Sequence, residues 1–320
     1  MNRDPDPSAT AAAPLKSIAE VERDTALPRA TIRIWERRYG FPAPERDDRG
    51  ERRYPEDQVA QLRLMRRLVE QGHRPAKLLA GGPAEIRRLA AEPTGALAQP
   101  KGRGSAQLLR LLREHDAQSV RHELEARLRR SGLARFAGVD IPAMNHVIGD
   151  AWHAGELEVH EEHLYSDCIH QVVRAAIADV EGAVRPEAPQ VLLTTFPQEQ
   201  HGLGLLMAQA LFVLQGCPTV SLGVRLPIEQ IVAGALAHRA DLVGLSFTAS
   251  LNPAHVWRGL EELRGLLPPS VRIWAGGDTP ALRRRAIPGV RTVSDVLAIP
   301  DLLAEDFALP PLRLPAASAS

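Results

Sequence analysis

The chain is 320 residues long, room for about two or three domains, and its 44% apolar and 24% charged content is ordinary for a globular protein. Lysine plus arginine and aspartate plus glutamate both number 39, so no global charge selects a polyanionic or membrane partner. The two cysteines, Cys168 and Cys217, exclude a disulfide framework and a cysteine-type structural zinc site, and no run approaches the roughly 20 apolar residues that span a bilayer. A reducing, cytoplasmic setting without a membrane partner is expected.

Residues 1–14 (MNRDPDPSATAAAP) lack the apolar core of a leader and read as a disordered arm. Residues 15–91 are Arg-rich and helical in pattern. A short helix from Ser17 is followed by a turn, and a second helix begins near Pro28, a residue suited to a first helical turn. On that helix Ile32 and Trp35 are spaced to face a core. Arg29, Arg33 and Arg37 recur at four-residue spacing along one face, which turns positive charge toward phosphates or a major groove. Arg52, Arg53 and Tyr54 stand where a hairpin can reach backbone or minor groove. The strings IRIWERRYGFPAPER and RYPED resemble the MerR-type winged helix-turn-helix over about residues 15–80. The resemblance implies binding to double-stranded operator DNA, with Thr31, Arg38 and Tyr39 joining the arginines and Tyr54 at the interface. The module is only mildly basic, so one copy would bind weakly. Self-association to a dimer or tetramer is therefore expected.

Residues 92–104 (EPTGALAQPKGRG) carry Pro and Gly without periodicity and read as a linker. Residues 105–188 are helical again, with apolar residues every three to four positions in AQLLRLLREHDAQSVRHELEARLRRSG. A pair of helix hairpins or a four-helix bundle follows. Within this segment Trp152 and His153 are followed by Glu162 and His163, with nine residues between Trp152 and Glu162. Trp-x9-Glu-His is similar to the helical cap of cobalamin-dependent photoreceptor regulators of the CarH/LitR type. The resemblance implies that Trp152, Glu162 and His163 cover the upper face of a corrin and contact a 5′-deoxyadenosyl group. It also implies that His153 ligates cobalt from above after photolysis. An aromatic plate with two hydrogen-bonding groups suits a nucleoside. His146 and His160 read as surface residues.

From residue 189 to 306 apolar runs alternate with helical patterns: VLLTT, then GLGLLMAQALFVLQG, PTVSLG, PIEQIVAGALAHR, DLVGLSF, PAHVWRGLEELRGLL and VRIWAGG. The strands are apolar throughout, as in a parallel sheet covered on both faces, and the pattern is α/β. Behind the first strand stands Glu199-Gln200-His201-Gly202-Leu203-Gly204. A His at the carboxyl end of a strand offers a ring nitrogen to a metal, and a carboxylate two residues earlier fixes its tautomer. Gly204 permits close approach to the backbone. This E-x-H-x-x-G pattern resembles the lower-ligand motif of cobalamin-binding domains, which implies His201 as the lower cobalt ligand. Ser246 and Thr248 after the third strand, and Gly276 and Gly277 after the fourth, occupy positions that line the slot for the nucleotide tail in that family. The usual Ser-x-Leu is Ser-x-Thr here. Residues 307–320, ending in PPLRLPAASAS, read as a disordered tail.

The expected whole is α/β plus all-α: a MerR-type winged helix-turn-helix, a helical-bundle cap and a doubly wound Rossmann-like domain. The implied function is a light-responsive, adenosylcobalamin-binding transcriptional repressor. One rival is a cobalamin-dependent enzyme, which needs a substrate domain, often a barrel of about 250 residues, for which the chain has no length. The other is a regulator of the same build whose signal is not light, such as another tetrapyrrole or a protein partner.

Overall fold

The computed structural model describes residues 15–25, 27–70, 73, 75–91, 103–249 and 251–312, the side chains at 67, 70, 90, 91, 103 and 153 excepted. It divides into two units, Met1–Ala96 and Leu97–Ser320. The predicted arm at 1–14 lies outside the described residues, as does most of the predicted linker.

The first unit holds β1 (Lys16–Ser17), α1 (Ile18–Thr25), α2 (Arg29–Tyr39), β2 (Glu45–Arg46), β3 (Arg52–Tyr54), α3 (Glu56–Glu70) and α4 (Pro75–Ala91). Ser17 and Glu20 start α1 as a capping box: the Ser17 N–H donates to Glu20 Oε2 at 2.7 Å, and the Glu20 N–H donates to Ser17 Oγ at 3.3 Å. α2 stops at Gly40, whose φ of 68° is left-handed and whose N–H returns to the Glu36 carbonyl. The three strands form an antiparallel sheet in the order β1-β3-β2. Val21, Ile32, Trp35, Tyr54, Val59, Leu62 and Met65 fill the core between them.

The second unit opens with helices: α5 (Arg103–Arg113), α6 (Ala117–Ser131), α7 (Leu133–Arg135), a π-turn at Phe136–Asp140, α8 (Ile141–His153) and α9 (Val159–Val180). Asp116 caps α6 by accepting from the Ser119 N–H at 3.0 Å. α9 starts on a capping box between Glu158 and Glu161. The Tyr165 hydroxyl donates to Asn145 Oδ1 at 2.7 Å and ties α9 to α8. Because α5 begins at Arg103, the last two residues of the predicted linker are helical.

The sheet follows: β4 (Val191–Thr194), α10 (Leu203–Leu214), β5 (Thr219–Ser221), α11 (Ile228–Ala237), β6 (Leu242–Ser246), α12 (Pro253–Leu266), β7 (Arg272–Gly276), α13 (Pro280–Arg284), β8 (Val290–Val293), a 3-10 turn at Val296–Ala298 and α14 (Ile299–Phe307). All pairings are parallel, in the order β5-β4-β6-β7-β8. Side chains alternate between the two faces. Val191, Leu193, Leu242 and Trp274 face the core that the sheet shares with the bundle, which also takes in Phe136, Ile148, Ile169 and Val173. Leu192, Val243, Leu245, Ile273 and Ala275 face the opposite core, with Val256, Leu260 and Leu263 of α12. The helical segment and the sheet thus share one apolar core.

β8 and α14 carry no sequence expectation, and the tail differs from its expectation in part. Leu309 is buried in the shared core, the Leu312 N–H donates to Gln215 Oε1 at 2.7 Å, and Arg185 Nη1 donates to the Pro310 carbonyl at 2.8 Å. Residues 307–312 are therefore docked rather than loose, because an apolar side chain and backbone polar groups all find partners there.

Candidate functional site

In the order β5-β4-β6-β7-β8 the connections leave β4 in one direction and β6 in the other, so the crevice beyond the carboxyl ends of β4 and β6 is the topological switch point. β4 delivers Thr194 and Thr195 there. Thr195 Oγ1 donates to the Glu199 carbonyl at 2.8 Å and accepts from the Arg225 N–H at 2.9 Å, which folds the loop back over the strand end. The Glu199 side chain is buried at 1% exposure, yet all its hydrogen-bonding capacity is used. Oε1 accepts from the His201 N–H at 2.9 Å and from His201 Nδ1 at 2.6 Å. Oε2 accepts from the Thr248 N–H and from Thr248 Oγ1, both at 2.7 Å. Burial pushes the Glu199 carboxyl up, but the bonds from His201 and Thr248 outweigh it and hold the group below its ordinary value. An ionised carboxylate on Nδ1 places the ring proton there. Nε2 is the ring nitrogen left for a ligand, on a ring whose side chain is 41% exposed.

Glu199, His201 and Thr248 are thus brought together. The Thr of the Ser-x-Thr sequence has a physical account: its backbone and hydroxyl hold the second oxygen of the carboxylate that orients His201. Spacing along the chain did not reveal this, because the two groups lie on different strand ends. Ser246 and Gly204 also meet. A Cβ at Gly204 would lie 2.4 Å from Ser246 Oγ, so the close approach permitted at Gly204 is to β6 of the same chain. Gly277 has φ 107°, and a Cβ there would lie 2.0 Å from the Phe247 carbonyl oxygen, so only glycine fits that turn. Gly276 is less constrained, with 3.3 Å to the Val293 carbonyl oxygen.

Trp152 and His153 end α8, and Glu162 and His163 lie in the first turn of α9. Trp152 is half-buried against the shared core. Glu162 Oε1 accepts from Ser166 Oγ at 2.9 Å, and the His163 side chain is 75% exposed with Nδ1 3.9 Å from Glu162 Oε2. The side chain of His153 lies outside the described residues. His146 is exposed beside Asp150 Oδ2 at 3.3 Å, and His160 is exposed as well.

In the first unit α2 buries Ile32 and Trp35 and presents Arg33, Arg37 and Arg38 to solvent. Arg33, Glu36, Arg37 and Arg52 line one cavity of about 510 Å³. Arg29 is exposed but engaged, with Nε 2.5 Å from Glu22 Oε2. Thr31 and Tyr39 are half-buried; Arg38 lies over the Tyr39 ring, 5.5 Å from its centroid. Arg52 Nε donates to Glu36 Oε2 at 3.1 Å, and Arg53 Nε to Asp47 Oδ2 at 2.8 Å. Tyr54 corrects its expectation. It is fully buried, its hydroxyl donates to Glu36, and burial with that carboxylate raises its pKa, so it joins β3 to α2 rather than reaching DNA. Arg46, at the end of β2, and Arg49, on the turn that follows, are exposed on this hairpin, and Arg46 Nη1 donates to the Gly50 carbonyl at 2.8 Å. The local signal for them is the hairpin Asp47-Asp48-Arg49-Gly50.

Comparison with known proteins matches three segments of the chain. Residues 16–78 match the MerR HTH family regulatory proteins, and residues 105–177 and 189–296 each match a B12 binding domain. The chain is 34% identical over 256 residues to the HTH-type transcriptional repressor CarH of Myxococcus xanthus, covering 77% of this chain and 83% of the relative. It is 28% identical over 260 residues to CarA of the same organism, covering 78% and 83%. Among solved structures, the monomethylamine corrinoid protein of Methanosarcina barkeri has the same fold, with a TM-score of 0.51 at 15% identity over 64% of this chain and 99% of that one. An exposed imidazole nitrogen with its partner nitrogen clamped by a buried carboxylate, at the switch point of a parallel sheet, is a donor set that fits the cobalt of a corrinoid. The chain belongs to the MerR-family, cobalamin-binding transcriptional regulators of the CarH type, DNA-binding proteins rather than enzymes.

Proposed function

We propose that this chain is a light-responsive repressor that holds adenosylcobalamin with His201 beneath it and Trp152, Glu162 and His163 above, and that binds operator DNA as an oligomer. The observation that carries the lower half is the Glu199 carboxylate on His201 Nδ1, at 2.6 Å. It orients the ring and fixes the tautomer that turns Nε2 toward a ligand. The upper half rests on Trp152 at the end of α8 and Glu162-His163 at the start of α9, an aromatic surface and two polar groups on neighbouring helix ends. Bound adenosylcobalamin supplies a cobalt–carbon bond that visible light cleaves. With that group bound, Trp152 would pack by the adenosyl moiety and Glu162 and His163 would hydrogen-bond to it, and His153 is the residue that would take its place as a ligand once it has left. Because α8 and α9 share a core with the sheet, a change at their facing ends is transmitted through a close-packed unit.

The test is an absorbance titration of the full chain with adenosylcobalamin in the dark. Wild-type protein is expected to shift the corrinoid spectrum and to bind one equivalent. His201→Ala is expected to weaken binding at least tenfold and to leave the spectrum of the bound cofactor different. An unchanged spectrum and affinity in His201→Ala would overturn the lower-ligand assignment.

A further inference from the structure

Outside the corrinoid site, the turn between α5 and α6 meets the first turn of α9. His115, in that turn, brings Nε2 within 3.1 Å of His160 Nε2 and 3.3 Å of Glu161 Oε1. The rings stack at 5.1 Å between centroids with an interplanar angle of 25°. Both imidazoles are exposed, whereas Glu161 is buried at 6%. Its other oxygen, Oε2, accepts from the Glu158 N–H at 2.7 Å and closes the α9 cap, so Oε1 is held in place. His115 sits at φ 56°, a left-handed conformation uncommon outside glycine, though His, like Asn and Asp, takes it more often than other side chains. The backbone there turns the imidazole toward α9.

We propose that His115, His160 and Glu161 form a zinc site, separate from the cobalamin site and independent of it. Two imidazole nitrogens and one carboxylate oxygen are the donor set of an open, three-residue zinc centre, with water or a partner's group in the fourth position. Zinc bonds of about 2.0–2.1 Å place neighbouring tetrahedral ligands about 3.3 Å apart. The observed separations of 3.1 and 3.3 Å match that edge length. Sequence spacing concealed the trio, since His115 lies 45 residues from His160. The ion clamps the α5–α6 turn onto α9 directly before Glu162 and His163. Arg113 already bonds across the same junction, from Nε to the Glu156 carbonyl and from Nη2 to Glu156 Oε2, each at 2.9 Å.

Equilibrium dialysis of the full chain against Zn²⁺ alone, with and without corrinoid and with zinc counted by elemental analysis, tests the site. The expected result is one tightly held zinc per chain in both states and a rise in melting temperature on zinc addition. His160→Ala and His115→Asn, the latter chosen because Asn tolerates the left-handed backbone, are each expected to weaken zinc at least tenfold and to abolish the rise. Glu161→Gln keeps the cap acceptor and removes the charge, and is expected to weaken zinc as well. Absence of a stoichiometric zinc, or the same zinc affinity in both histidine variants as in wild type, would overturn the proposal. The trio would then be a hydrogen-bonded cluster only.

Discussion

At the scale of single residues, the orientation of His201 depends on one carboxylate that receives four hydrogen bonds. Glu199→Gln removes the charge and gives the ring nitrogen a weaker partner. Corrinoid affinity is expected to fall about 10- to 100-fold, the usual effect of losing a partner behind a metal-binding His, and dark titration of the variant reads it. Thr248→Val leaves the backbone donor and removes the hydroxyl, so a smaller loss is expected. The Glu199 carboxyl is held below its ordinary value of about 4.3 in the folded chain. A depressed carboxyl contributes stability that is present above the unfolded value and is lost as pH falls through the folded one. Melting curves from pH 7 down to pH 3 should therefore show wild type losing its advantage over Glu199→Gln only in that acid range. An advantage unchanged at the acid end would contradict the ionised carboxylate. The E-x-H pattern made Glu199 and His201 legible because both lie within three residues of sequence. Thr248 was legible as a site position but not in its role, since that bond crosses from one strand end to another.

At the scale of elements, the strands of the second sheet and their helices were legible because apolar runs and helical periods alternate from Val191 to Gly276. β8 and α14 were not, because VRTV is half polar and α14 has no sequence partner to announce it. Tyr54 shows a second kind of limit. A tyrosine in an Arg-rich hairpin reads as an interface residue, yet β3 turns it inward onto Glu36 of α2. Tyr54→Phe is expected to cost about 1–3 kcal/mol, because the buried end of Glu36 loses a donor. Chemical denaturation checks the loss, and a cost below about 0.5 kcal/mol would place that bond in solvent. Gly277→Ala meets both a left-handed backbone and a carbonyl oxygen at 2.0 Å. Such strain predicts a loss of about 2 kcal/mol or more and a displaced β7–α13 turn. The same denaturation series measures it; wild-type stability in Gly277→Ala would contradict the geometry.

At the scale of the whole molecule, a DNA-binding unit and a corrinoid-binding unit occupy one chain whose net charge is zero. Long-range attraction therefore adds little, and we propose that affinity for DNA rests on the local row of Arg33, Arg37 and Arg38. Arg33→Ala and Arg37→Ala are each expected to lower the salt dependence of binding by about one unit of slope if each touches a phosphate. Mobility-shift titrations at several salt concentrations read that slope, and an unchanged slope would remove the residue from the interface. Linking several such units in one assembly raises their effective concentration, which is why self-association is the natural lever for a switch. The most direct test is size-exclusion chromatography with absorbance detection on the full chain loaded with adenosylcobalamin, run in the dark and after green light. The account predicts a corrinoid spectrum that changes on illumination together with a shift from a larger to a smaller species. A bound corrinoid whose illumination leaves the elution position unchanged would contradict the light-driven assembly switch.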